Sequence, residues 1–109
     1  MIDTVEITKE IYDSAHRLQG AGDALFKLAQ AMAETERTYR RALGIEIVKL
    51  KTEKVQATLI PDIARGMTAD LKFERDLAEL RWTAAKENVR SIQTQMSALQ
   101  SILRHQQEI

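Results

Sequence analysis

The chain has 109 residues, which is enough for one modest domain with a small core. Sixteen basic side chains balance sixteen acidic ones, so net charge does not point to nucleic acid. Cysteine is absent, and this excludes disulfides, thiolate metal sites and cysteine nucleophiles.

Charge is nevertheless uneven along the sequence. Residues 1–34 hold six acids and three bases, a net charge of −3, whereas residues 35–90 hold nine acids and twelve bases, a net charge of +3. This asymmetry favours head-to-tail or antiparallel pairing of chains. The sequence has no apolar run long enough to predict a membrane span, and the acidic N-terminus lacks the basic region of a secretion signal. We therefore expect a cytoplasmic protein.

The first half of the chain carries apolar residues at alternating three- and four-residue spacing, which predicts one amphipathic helix over about residues 4–54. Asp3 or Thr4 can cap its start. Gly20 and Gly22 each cost about 1 kcal/mol against alanine in a helix interior. The spacing passes through them without a slip, so we predict a continuous helix. The alternative is a chain that folds back there and closes a three-helix monomer. The stripe comprises Ile7, Ile11, Leu18, Leu25, Leu28, Met32, Tyr39, Leu43, Ile47 and Leu50.

A connector over residues 55–68 separates two helices. Pro61 cannot lie inside a helix, and residues 61–66 fit one short helical turn with proline at its start and Gly66 at its end. Thr68 is predicted to cap the following helix, with Asp70 in its first turn.

The second long helix is predicted over about residues 69–106. Its main stripe comprises Leu71, Ala78, Trp82, Ala85, Val89, Ile92, Met96, Leu99 and Leu103. A second stripe adds Phe73, Leu77, Leu80 and Ala84. Because one partner helix cannot cover both stripes, we expect Leu59, Ile60 and Ile63, or another chain, to cover the second.

These elements predict an all-α fold, a long antiparallel helical hairpin of coiled-coil type within a single domain of residues 1–109. Two helices pack along only one seam, so much of each apolar stripe stays exposed to solvent. The sequence therefore also predicts a homo-oligomer, with several hairpins joined into a multi-chain bundle.

The sequence gives little support for a catalytic or cofactor-binding site. His16 and His105 lack a convergent third ligand for a metal, and neighbouring carboxylates two positions apart point in different directions on a helix. There is no phosphate-binding glycine loop or nucleophile elbow. We predict no enzyme activity, metal or cofactor.

Two charged clusters are candidate binding sites. One is a basic cluster that could contact a phosphate backbone, although the interleaved Glu36, Glu46 and Glu53 favour a solvated or interchain ion-pair face. It comprises Arg37, Arg40, Arg41, Lys49 and Lys51. The other is a polar set at the hairpin tip, read as a clamp of connector onto second helix or as a partner-binding patch. It comprises Pro61, Asp62, Arg65, Lys72 and Arg75.

Several runs of residues resemble a family of small proteins from bacteriophages and prophages of Gram-positive bacteria. They are ETERTYRRAL (34–43), TLIPDIARG (58–66), LKFERDLAE (71–79) and SALQS (97–101). The resemblance implies a phage-encoded protein in the host cytoplasm and supplies no catalytic or binding residues.

Taken together, the sequence predicts a non-enzymatic interaction protein of a phage or prophage that contacts itself and a phage or host protein. The alternative is an accessory nucleic-acid-binding protein in phage replication or recombination. A secreted hairpin of the small WXG type is disfavoured, because the connector has no Trp-x-Gly and Trp82 lies inside the second helix.

Overall fold

The computed structural model describes residues 3–107. They form three α-helices and no β-strand: α1 (Thr4–Thr52), α2 (Ile60–Met67) and α3 (Ala69–Gln107). The all-α class predicted from the sequence is confirmed. Within this range no helix is both long and apolar enough to cross a membrane.

Helix α1 is continuous from Thr4 to Thr52, so the fold-back alternative at Gly20 and Gly22 is wrong. The chain enters the helix through Asp3, whose carboxylate accepts a hydrogen bond from the Val5 amide at 3.4 Å, as expected of a cap. The two glycines remain helical because the turns on both sides of them are helical and the apolar stripe keeps its spacing across them.

Helix α1 ends two residues before the predicted position, in a left-handed turn at Lys54 (φ 60°). The Val55 amide donates to the Leu50 carbonyl at 3.1 Å, and the Lys54 amide donates to the Lys51 carbonyl at 3.1 Å. This pair of bonds satisfies carbonyls that the helix end would leave unpaired. Val55 also packs against the cluster that contains Leu50, which fixes the turn.

Helix α2 corresponds to the predicted helical turn, with Pro61 in its first turn. Its buried Ile60 and Ala64 pack with Leu50 of α1. The predicted capping role of Thr68 is wrong: its buried hydroxyl donates to the Ala64 carbonyl at 2.8 Å. Thr68 thus closes α2, because that carbonyl is the acceptor within its reach.

Helices α1 and α3 contribute to two compact units. The unit of residues 28–82 contains the second part of α1, all of α2 and the start of α3, and these helices form an antiparallel hairpin. Its buried side chains are Tyr39, Leu50, Ile60, Ala64, Thr68 and Ala78.

The other unit joins the chain up to Lys27 with the chain from Thr83 onward. Here Thr4 donates a hydrogen bond to Gln106 at 3.2 Å, so the start of α1 lies beside the end of α3 and the two segments are antiparallel. Ile7, Ser14 and Ile92 are buried. The predicted antiparallel helix pairing is therefore present in each unit.

Both predicted main stripes are buried or half-buried throughout. The second stripe of α3 is not covered as predicted: Phe73 is 63% exposed and Leu80 65% exposed. Ile60 packs against the end of α1 instead, while Leu59 and Ile63 remain partly exposed. The buried side of α2 thus packs against α1 and not against the second stripe of α3.

Candidate interaction site

Arg75 occupies a position in the α3 stripe, where its side chain is only 21% exposed. Its guanidinium lies 4.9 Å from the centroid of the Tyr39 ring and donates to Glu36 of α1 at 3.2 Å. It also donates to Asp76 at 2.9 Å. Arg75 therefore ties α3 to α1 and is not presented beside the exposed residues of the predicted tip.

The carboxylates around Arg75 are held in their charged form. A hydrogen bond from Arg40 at 2.8 Å, with the nearby charge of Arg75, lowers the pKa of Glu36 below its ordinary value. Hydrogen bonds from Lys72 at 2.8 Å and from Arg75 likewise lower the pKa of Asp76. The hydrogen bond to Asp76 in turn raises the pKa of Arg75. We call this set, with Tyr39, the Arg75 network.

The three predicted tip residues of α2, Pro61, Asp62 and Arg65, are exposed. Arg65 donates to Asp62 at 3.2 Å within α2, so the predicted clamp from these residues to α3 is wrong. The two lie one turn apart on the exposed side of α2 and pair with each other. The partner-binding role of the tip stays a prediction.

The five residues of the predicted basic cluster are all exposed on α1. Arg40 pairs with Glu36 at 2.8 Å, and Lys49 lies 4.0 Å from Glu46. At about 100° per residue, three of the five fall on one stripe about 80° wide with two uncharged residues. We call this stripe the basic face of α1; it comprises Arg37, Arg41, Gly44, Val48 and Lys51.

The uncharged members of this face, Gly44 and Val48, were not among the residues predicted from the sequence. Val48 is 63% exposed, and apart from the adjacent helix backbone no atom lies within 4 Å of the place where a Cβ on Gly44 would stand. Counting from Arg37 in alternating steps of four and three residues reaches both of them, so the signal was present.

Phe73, Leu77 and Leu80 share one stripe of α3, directed away from the α1 seam, which we call the apolar face of α3. Leu77 is half-buried, whereas Phe73 and Leu80 are mostly exposed. Asp70, Asp76 and Arg81 border this face, all within about 80° of Phe73 around the helix.

Within residues 3–107, no three or more His, Asp or Glu side chains are grouped so that they could hold a metal ion. No protein-family model, curated protein or solved structure matches the chain. The interpretation of function therefore depends on the two exposed faces and the half-buried seam.

Proposed function

We propose that this chain is a non-enzymatic helical protein that acts through self-association and contact with other proteins. The observation that carries the proposal is the apolar face of α3, where Phe73 is 63% exposed and Leu80 65% exposed. An exposed aromatic and an exposed leucine on one stripe of a helix mark a contact surface.

Incomplete burial of the seam supports the same proposal. In the unit formed by the start of α1 and the end of α3, Leu18, Leu25 and Leu99 lie on the seam yet are only half-buried. Each helix there has a single neighbour, and one neighbour covers only part of an apolar stripe. Helices from further copies would complete the burial, as in multi-chain bundles.

The setting that we propose is a bacteriophage or prophage, with the protein acting in the host cytoplasm. Its support is the sequence resemblance alone, and the connector run TLIPDIARG is the most specific part of that resemblance. Pro61, Asp62 and Arg65 are among the exposed residues of this run, and we propose them as its contact with a phage or host partner.

A second candidate function is nucleic-acid binding through the basic face of α1. The alignment of Arg37, Arg41 and Lys51 on one exposed stripe favours it, because a phosphate backbone rewards cations in a row. Val48 and Gly44 within the same stripe have no charged or hydrogen-bonding side chain that could contact a phosphate, so we rank this function second.

Sedimentation velocity and light scattering at tens of micromolar protein test the proposal. We expect a mass that is a multiple of 12.4 kDa and that decreases on dilution. A 12.4 kDa monomer at every concentration would contradict self-association. If that monomer retains DNA at low salt, the result would instead support nucleic-acid binding.

A further inference from the structure

We infer that the apolar face of α3 packs against the same face of a second copy, with the two α3 helices antiparallel. The inference rests on the proposed self-association and names the surface that makes it. The charges that border the face select this partner, and the face with its edges lies in the unit of residues 28–82.

One edge of the face carries charges that the rest of the described chain leaves unpaired. Asp70, Glu74 and Arg81 lie on this edge, between about 60° and 100° from Phe73 around the helix. All three are exposed, and none of them forms an ion pair within residues 3–107. The opposite edge is already neutralised, because Asp76 is paired within its own chain. The unpaired edge is therefore the one that a partner would complement.

The order of charges makes this edge complementary to itself. Glu74 lies seven residues before Arg81, which places the two about 20° apart around the helix and about 10 Å apart along it. When a helix packs against an antiparallel copy of itself about a two-fold axis, like edges meet and the order of residues is reversed. Glu74 of one copy then faces Arg81 of the other, and the symmetry makes this ion pair twice.

The apolar side chains fit the same two-fold axis. An axis that passes between Leu77 and Leu80 sets Leu77 of each copy against Leu80 of the other. The same axis leaves Glu74 of one copy and Arg81 of the other about 3 Å apart along the helix direction, at about 1.5 Å per residue. Phe73 extends the apolar contact at both ends. One register therefore satisfies the leucines and the charged edge together.

Charge disfavours a parallel copy as the occupant. Two parallel α3 helices would keep the same residue order, so Asp70 would lie level with Asp70 of the second copy. Their charged edges would also lie on opposite sides of the contact, where Glu74 and Arg81 do not meet. Repulsion in the wrong arrangement adds to the specificity of the right one.

The basic face of α1 is a poorer occupant than a second α3 face. Its three charged members are all cations, so Arg81 would have no counterpart there. Val48 is its one apolar side chain, whereas the α3 face offers three. The α3 face thus matches its own copy better in both charge and apolar contact.

The contact uses the same face in both copies, so it is isologous and closes as a dimer. A larger assembly would require a further surface, such as the half-buried seam. The face by itself therefore predicts a dimer in sedimentation velocity.

Charge exchange on the full-length chain tests the inference by sedimentation velocity. The variants are Glu74→Lys, Arg81→Glu and the double variant E74K/R81E. Each single variant sets like charges together twice, so we expect it to associate at least tenfold more weakly than the parent. In an equal mixture of the single variants, the introduced lysine meets the introduced glutamate, and the unaltered Arg81 meets the unaltered Glu74. Association should therefore recover in the mixture, and it should recover in the double variant for the same reason.

Two controls carry charge changes outside the face. Glu79→Lys makes the same change as E74K at an exposed position of α3, about 120° from Phe73 around the helix, and should match the parent. R37E/R41E reverses charge on the basic face of α1 and should also match the parent. If R37E/R41E weakens association while E74K does not, the occupant is the α1 face and the inference is wrong.

A further variant, F73S/L80S, removes the apolar contact without a charge change. Both side chains are exposed, so circular dichroism and the melting temperature of the diluted protein should match the parent while association falls at least tenfold. Unchanged association in this variant, or no recovery in the mixture, overturns the inference while self-association of the parent still stands. A monomeric parent removes the proposed function itself.

Discussion

Arg75 shows how one side chain can fix the register of two helices. It takes a place in the α3 stripe where leucine would pack more simply, and its guanidinium reaches Tyr39 and Glu36 of α1. A slip of one heptad would separate it from both and leave the half-buried guanidinium with Asp76 of its own helix as its remaining partner. Apolar stripes alone tolerate such slips, so the Arg75 network supplies specificity that the stripes lack.

The sequence reading placed Arg75 at the tip because charged residues in a dense run are usually solvated. Its spacing from Leu71 and Ala78 matches the stripe and indicated the seam. The spacing could not indicate which residue of α1 pairs with Arg75. Glu36 is 39 residues away in sequence, and only the antiparallel register of the structure brings the two together.

Replacement of Glu36 by glutamine should make stability depend less on pH. The pKa of Glu36 is lowered from its ordinary value of 4.5, so the folded protein binds fewer protons there than the unfolded chain. Its stabilising contribution is therefore complete above about pH 4.5 and is lost as pH falls through the lowered pKa. Thermal melts followed by circular dichroism should show the parent above E36Q at pH 7 and the two converging near pH 3.

Glu53→Gln is the matched control for this experiment, because Glu53 is exposed and belongs to no part of the Arg75 network. A gap between parent and E36Q that stays constant from pH 7 to pH 3 would show that packing, and not charge, distinguishes them.

At the scale of the helices, the sequence predicted existence and type well and the ends less well. The spacing of apolar residues carried α1 through two glycines, and proline marked the start of α2. The end of α1 was missed because it depends on Lys54 in a left-handed conformation, which glycine or asparagine usually adopts. The compensating contact, Val55 against the Leu50 cluster, is tertiary and leaves no local signal.

Gly20→Ala and Gly22→Ala should each stabilise α1 by about 1 kcal/mol. Both glycines are helical, and apart from the adjacent helix backbone no atom lies within 4 Å of a Cβ at either position, so alanine meets no obstacle. Urea unfolding at a concentration where the chain is dissociated measures the gain. Ala24→Gly, at an exposed position of the same helix, should lose a similar amount. Destabilisation by either alanine would mean that the backbone there bends in a way the helical geometry does not show.

At the scale of the whole molecule, patterning fixed the fold class but not the surfaces that meet a partner. A period of three and four residues identifies the side of a helix that needs cover, and it did so for both long helices. It cannot say whether the connector covers the second stripe of α3 or the end of α1, because that choice depends on tertiary packing. In the structure α2 packs against the end of α1, and Phe73 and Leu80 stay exposed.

Self-association should therefore appear in the thermal stability of the chain. Copies that bind only the folded state stabilise it by mass action, and a partner at about 100 times its dissociation constant adds about 2.7 kcal/mol. For a chain of this size, about 1 kcal/mol corresponds to about 4–8 °C. Melting curves at increasing protein concentration should move upward by several degrees across a hundredfold range. A midpoint that is the same at every concentration would mean that folded copies of the chain do not bind one another.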